Sequence, residues 1–260
     1  MDLKASSNAA DYTTIEGGRR RRAWTRAWRA VGAGIVVGAA LLPLDGVVAT
    51  WCRRFQPDGN LRLGGDLRRE MEFVQQFGAI TSILLTAAFV MLLDPGRRRA
   101  LRLLAIAALA NVGVINAIKM LVGRPRPKFL DPLAFTPPWD TYTLPIDGVA
   151  QPRHAWEVWR GISSNLWSMP SSHTAAAAVL AVFIATLYPK CRWLVFGLVG
   201  VVGVCRVLLG AHYPSDVILG GAIGYAVASL VMAHRSLQRP EPPAAAVAAS
   251  VAVDREGRGL

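Results

Sequence analysis

The stretch Cys205-Arg206-Val207-Leu208-Leu209-Gly210-Ala211-His212-Tyr213-Pro214-Ser215-Asp216 puts a cation, an imidazole and a carboxylate between two long apolar runs. Ionisable groups at a membrane edge are costly to desolvate, so they mark a functional site by default. Pro214 suits the first turn of a helix. Asp216 then lies in that turn, with its carboxylate in reach of the His212 ring. A carboxylate on one imidazole nitrogen fixes the tautomer and leaves the other nitrogen free as base or nucleophile. Arg206 adds a planar, permanent cation suited to phosphate oxygens. Taken alone, the segment fits a helix-end salt bridge with a capping Asp equally well.

The runs on either side belong to a larger pattern. The chain is 53% hydrophobic over 260 residues, and its apolar residues gather into blocks at about 31–51, 73–93, 100–121, 172–188, 193–209 and 216–233. A helix needs roughly 20 residues to cross a bilayer. These blocks predict an all-α, polytopic membrane protein, a bundle of six transmembrane helices. Residues 1–29 form a basic N-terminal segment, disordered over 1–18. Residues 30–235 form the membrane domain with a long connection at 122–169, and 236–260 form a disordered Pro/Ala-rich tail. A basic stretch before the first block resembles a signal peptide, but the block is too long for a signal core and lacks a convincing cleavage site. It is read as an uncleaved span, kinked or ended early by Pro43 and Asp45.

Net charge is +12. The cations sit in short segments between apolar blocks, which fits topology signals and anionic head groups rather than nucleic acid. Arg19 to Arg22, Arg97 to Arg99, Lys190 with Arg192, and Arg235 with Arg239 fall on one side of a six-span layout. The positive-inside rule makes that side cytoplasmic, with both termini on it. The arginine-rich connection 52–70 then lies outside, against the rule. All eight tryptophans flank a span or lie in the long connection, as amphipathic rings at an interface do. Cys52, Cys191 and Cys205 are too scattered for a metal site or a disulfide framework.

In this layout three polar motifs share the outer face. Lys119 and Arg126 are seven residues apart, two helical turns, and Pro125 and Pro127 favour an extended ending after Gly123. Arg126 then folds over the mouth of the bundle. Arg124 and Lys128 are read as interfacial snorkelling cations. Pro170-Ser171-Ser172-His173 opens a helix, where free N–H groups and the dipole attract anions. The Ser171 hydroxyl adds a donor, although Ser is also a common N-cap. The opening stretch supplies Arg206, His212 and Asp216.

The two histidines differ. His212 has a carboxylate partner in sequence; His173 has none. That asymmetry assigns His212 the attack on phosphorus, forming a phosphohistidine. His173 then donates a proton to the leaving group and later activates water. Lys119, Arg126 and Arg206 hold the phosphoryl oxygens. The scheme uses no metal and no cofactor, and no carboxylate cluster stands ready for magnesium. His154 and His234 receive no role.

Lys119-x6-Arg126-Pro127, Pro170-Ser171-Ser172-His173 and Arg206-x5-His212-x3-Asp216 together resemble the tripartite signature of the type 2 phosphatidic acid phosphatase family. That superfamily also includes bacterial acid phosphatases and vanadium haloperoxidases. The resemblance covers about residues 70–235 and the six-span layout of the membrane members. It implies His212 as nucleophile, Asp216 as its partner and His173 as acid and base. It also implies phosphate binding by Lys119, Arg126, Ser171, Ser172 and Arg206. Ser172 stands where the family usually has Gly, and Cys205 where it usually has Ser.

The resulting expectation is a metal-independent lipid phosphatase in a bacterial inner membrane, its site facing outside. Its partners are the bilayer and a membrane lipid phosphate: undecaprenyl pyrophosphate, phosphatidate, phosphatidylglycerol phosphate or a lipid A phosphate. A phosphotransferase using the same phosphohistidine is the alternative. A non-catalytic phospholipid-binding protein is more remote, since binding alone needs no partnered nucleophile.

Overall fold

A computed structural model describes residues 3–55, 64–146 and 148–233. The tail from residue 234 and part of the 52–70 connection lie outside the described residues. The helices are α1 (Leu3–Arg53), α2 (Gly65–Val74), α3 (Ile80–Leu93), α4 (Ala100–Val122), α5 (Ser163–Leu166), α6 (Ser172–Leu187), α7 (Arg192–Leu208) and α8 (Pro214–Met232). The expectation was all-α, and the protein is mostly helical. The exception is an antiparallel hairpin in the long connection, β1 (Tyr142–Ile146) and β2 (Val149–Arg153).

Four segments are long and apolar enough to cross a membrane: Arg21–Arg53, Ala100–Phe129, Pro189–Leu208 and Pro214–Met232. The pair Gly65–Gly78 and Ile80–Leu93, bent by 61°, makes a fifth if counted as one span. Helix α6 has only 16 residues, about 24 Å at 1.5 Å per residue. Two differences from expectation concern α1. It is helical from Leu3, where the polar composition suggested disorder, and it continues through Pro43 to Arg53.

Helix α6 is the centre of the bundle. Its sequence is alanine-rich and apolar on every side, the pattern of a helix buried all round. Thr174, Ala175 and the run from Ala177 to Phe183 are buried. Helix α8 meets it through small residues, as membrane helices do. A Cβ on Gly224 would stand 2.1 Å from the Ala175 carbonyl oxygen, so only glycine permits this approach. Helix α1 packs along the other side of α8, and α4 and α7 flank α6. The exposed faces are apolar, with Ile35, Val36, Leu84, Leu109, Val112 and Leu194 among the exposed residues. That is the surface a lipid-facing bundle presents.

The turns 94–99 and 188–191 meet at one end of the bundle. The Tyr188 hydroxyl donates to Asp94 Oδ2 at 3.1 Å, and the Arg97 guanidinium lies 4.7 Å from the Tyr188 ring centre. The C-terminal ends of α4 and α7 and the N-terminal ends of α6 and α8 lie at the other end. The long connection folds over that second end. Leu144, Ile162 and Leu166 form a small buried cluster of its own, packed by Phe129, Tyr142 and Trp167.

Candidate active site

Helix α4 ends on Gly123, which has φ +56 and donates its N–H to the Lys119 carbonyl. This left-handed cap turns the chain sharply. There is no room for a side chain, since a Cβ would fall 2.1 Å from the Thr136 carbonyl oxygen. The extended ending expected from the two prolines follows. Arg126 has extended backbone angles, and its N–H bonds the Asn165 carbonyl at 2.8 Å. Lys119, 3% exposed, donates from Nζ to the Trp167 carbonyl at 2.6 Å.

The loop from α7 to α8 is equally compact. Gly210 has φ +66, and the N–H groups of Ala211 and His212 both bond the Arg206 carbonyl. That hook keeps His212 close to the α7 terminus that carries Arg206. The Arg206 guanidinium donates to Gln75 Oε1 at 2.8 Å, while its Nε is buried with no hydrogen-bond partner among the described residues. Gln75 sits in the turn between α2 and α3. Gly78 in the same turn lies against α6, where a Cβ would stand 2.1 Å from the His173 carbonyl oxygen. The bend in the second span therefore delivers Gln75 to the site.

The three motifs converge. The charges of Arg206, Arg126 and Lys119 all act on the half-buried His173, and those of Lys119 and Arg206 act on His212. His212 is buried. Burial pushes its imidazole down to about 3, and the two cations push the same way. The ring is therefore neutral at ordinary pH, the form a nucleophile requires.

The ring is oriented differently from the sequence-based expectation. His212 Nδ1 lies 2.7 Å from the Ser168 carbonyl oxygen and 3.8 Å from Asp216 Oδ2. The backbone carbonyl accepts from Nδ1–H and sets the tautomer, leaving Nε2 unprotonated. Asp216 contributes its charge at 3.8 Å but no hydrogen bond, because its oxygens are engaged elsewhere. Oδ2 accepts from the Ser168 hydroxyl at 2.5 Å and the Tyr213 N–H at 2.9 Å, and Oδ1 accepts from Arg124 at 2.6 Å.

Arg124 corrects a second expectation. It is no snorkelling cation but fully buried, bonded to Asp45, Asp216, Ser215 and the Pro132 carbonyl. Its guanidinium lies 4.3 Å from the Tyr213 ring centre and 5.3 Å from that of Phe135. Asp45 also accepts from the Ser215 N–H at 3.1 Å. This network clamps α1, the segment after α4 and the start of α8 together, and Asp216 links it to Ser168 and so to His212. The signal was present in the sequence as a carboxylate inside an apolar run.

Ser171 is fully buried, with its hydroxyl 3.0 Å from Thr174 Oγ1 and accepting from the Thr174 N–H. It is an N-cap. Its own N–H bonds the Asp216 carbonyl at 3.0 Å, which fixes the tip of α6 against α8. Ser172 and His173 occupy the first turn, where N–H groups have no acceptor one turn earlier. Lys128 is exposed and bonds Asn165.

The chain is 30% identical over 244 residues to phosphatidylglycerophosphatase B of Escherichia coli, covering 83% of this chain and 94% of that protein. A 57-residue segment is 40% identical to the lipid A 1-phosphatase of Rhizobium etli, 22% of this chain and 25% of that one. The fold matches a transmembrane PAP2-type phosphatidylglycerolphosphate phosphatase from Bacillus subtilis. That match has a TM-score of 0.52 at 16% identity, over 80% of this chain and 94% of the other. Residues 99–239 match the PAP2 superfamily, so this chain, with its three motifs gathered at one end of a helical bundle, belongs to that superfamily.

Proposed function

We propose that the protein removes phosphate from a membrane lipid through a phosphohistidine on His212. The observation that carries this reading is the oriented, neutral imidazole of His212 beside Lys119 and Arg206, with a second imidazole, His173, acted on by these two and Arg126. His212 Nε2 attacks phosphorus, and the bond from phosphorus to the lipid oxygen breaks. The negative charge of the bound phosphate favours the protonated form of His173 against the push of the three cations, and His173 gives that proton to the leaving oxygen. As the His212 ring gains positive charge, the Ser168 carbonyl holds Nδ1–H and the Asp216 carboxylate offsets the charge. Lys119, Arg126, Arg206 and the first-turn amides at Ser172 and His173 bind the phosphoryl oxygens, where transition-state charge collects. His173, now neutral, takes a proton from water. That water breaks the P–N bond, releasing inorganic phosphate and restoring His212.

In this reading α6 and the bent second pair also cross the membrane, making six spans, with the site at the outer face and the arginine-rich turns at 94–99 and 188–192 inside by the positive-inside rule. Residues 30–235 form the catalytic domain. The folded connection over the site admits the head group from the side while the acyl chains stay in the bilayer. Phosphatidylglycerol phosphate is the first substrate to test, because the similarity to phosphatidylglycerophosphatase B runs nearly the length of both chains.

Phosphate release from a panel of purified lipid phosphates tests the activity. Turnover of at least one lipid is expected, abolished in His212→Ala and unchanged by chelators. No release from any lipid by folded protein would refute the reading. For orientation, a cysteine replacing exposed Ser164 is expected to react with an impermeant thiol reagent on intact cells. Labelling only after permeabilisation would reverse it.

A further inference from the structure

The bundle has a second polar recess at the end away from the active site. A cavity of about 670 Å³ opens between α1, α6, α7 and α8, lined by Arg22, Arg26 and Arg192. No Asp or Glu lines it, and none of the three arginines pairs with a carboxylate among the described residues. The three arginines are exposed and line one recess, and no carboxylate among the described residues lines it with them, so the recess is electrostatically complementary to an anion.

Its other walls identify the kind of anion. Ser229 adds a hydroxyl to the lining, the Thr186 hydroxyl donates to the Val182 carbonyl, and Val182 and Phe196 continue the lining as apolar surface. Trp193, also in the lining, is 84% exposed, with the Arg192 guanidinium 5.8 Å from its ring centre. Trp24 and Trp28 stack beside Arg22 and Arg26 on α1, both exposed. Exposed tryptophans next to arginines mark the level of lipid head groups. A cationic recess between helices at that level suits a ligand with a charged head and an apolar tail. The recess is also remote from the chemistry. His173 and Thr186 lie at opposite ends of α6, about 20 Å apart at 1.5 Å per residue.

We infer that this recess binds the phosphodiester head group of an anionic phospholipid from the leaflet opposite the active site. The guanidinium groups of Arg22, Arg26 and Arg192 hold its phosphate, and an acyl chain lies against Phe196 and Trp193. The inference does not depend on the proposed reaction. A phosphodiester carries no terminal phosphate for His212 to remove, so binding can be measured without turnover.

The full chain in neutral detergent is mixed with phosphatidylglycerol or phosphatidylcholine, and bound lipid is counted by native mass spectrometry. Wild type is expected to retain phosphatidylglycerol over phosphatidylcholine. The double variant Arg26→Gln/Arg192→Gln is expected to lose that retention roughly tenfold or more, since each surface cation adds about 1 kcal/mol of attraction to anionic lipid. Arg26→Lys/Arg192→Lys restores most of it, and His212→Asn binds as wild type does. Three results would each overturn the inference: equal retention of phosphatidylcholine, undiminished retention in the Gln variant, or displacement of the lipid by inorganic phosphate but not by chloride at matched ionic strength. The last would identify a site for a free anion.

Discussion

The Ser168 carbonyl oxygen, not the Asp216 carboxylate, accepts the hydrogen bond from His212 Nδ1, at 2.7 Å against 3.8 Å. Asp216 therefore acts on the site largely by holding Ser168, Tyr213 and Arg124 in place. Asp216→Asn keeps the shape but removes a buried charge facing Arg124. Breaking a buried pair costs about 3–5 kcal/mol, and the remaining Asp45 partner keeps this case near the low end. A lower melting temperature in detergent is expected together with reduced turnover. A variant with lost turnover and unchanged melting would return Asp216 to a purely catalytic role.

Arg124 and Arg126 are two residues apart and should behave oppositely. Arg124→Ala strands two buried carboxylates, Asp45 and Asp216, and is expected to destabilise by about 3–5 kcal/mol. Arg126→Ala is expected to cost less stability than Arg124→Ala and to lower turnover by about 100-fold, the scale of one lost transition-state donor. Thermal unfolding and phosphate release measured on both variants check the contrast.

Burial holds the His212 imidazole at about 3 in the folded protein, against about 6.5 in an unfolded chain. Between those values the unfolded state binds a proton that the folded state does not. Stability from this group is thus present above about pH 6.5 and is lost as pH falls toward 3. In His212→Asn that loss is absent. The variant is expected to gain on wild type between pH 7.5 and 4.5, by on the order of 2 kcal/mol. A stability difference that stays constant with pH would contradict the burial argument.

Gly78 lets the bent second span touch the tip of α6. Gly78→Ala forces a Cβ against the His173 carbonyl, which pushes Gln75 off Arg206. Weaker inhibition by vanadate, which mimics five-coordinate phosphorus, and at least about tenfold lower turnover are expected, since small displacements in a site are costly. Unchanged inhibition would show that this contact does not position Arg206.

The sequence makes much of this legible, for identifiable reasons. Apolar block length predicts the helices, and the motif spacings bring Lys119, Arg126, His173, Arg206 and His212 to one end of the bundle. Gly123 with its two following prolines predicts the sharp turn that carries Arg126. The partners of the buried charges were not legible. Arg124 reads as a surface cation because Asp45 is 79 positions away, and no local pattern connects them. Ser168 and Gln75 act through a backbone carbonyl and a side-chain amide in otherwise ordinary stretches. The bend at Ala79 leaves no signal stronger than Gly78 beside it. Pro43 suggests a break that packing of α1 against α8 overrides.

The central claim is that His212 carries the phosphoryl group during turnover. Rapid acid-free quenching of the enzyme with a 32P-labelled lipid substrate tests it most directly. The account predicts label on wild-type protein that is stable in alkali, lost in acid and mapped to His212, and none on His212→Asn. Steady turnover by His212→Asn, or label mapped to another residue, would contradict it.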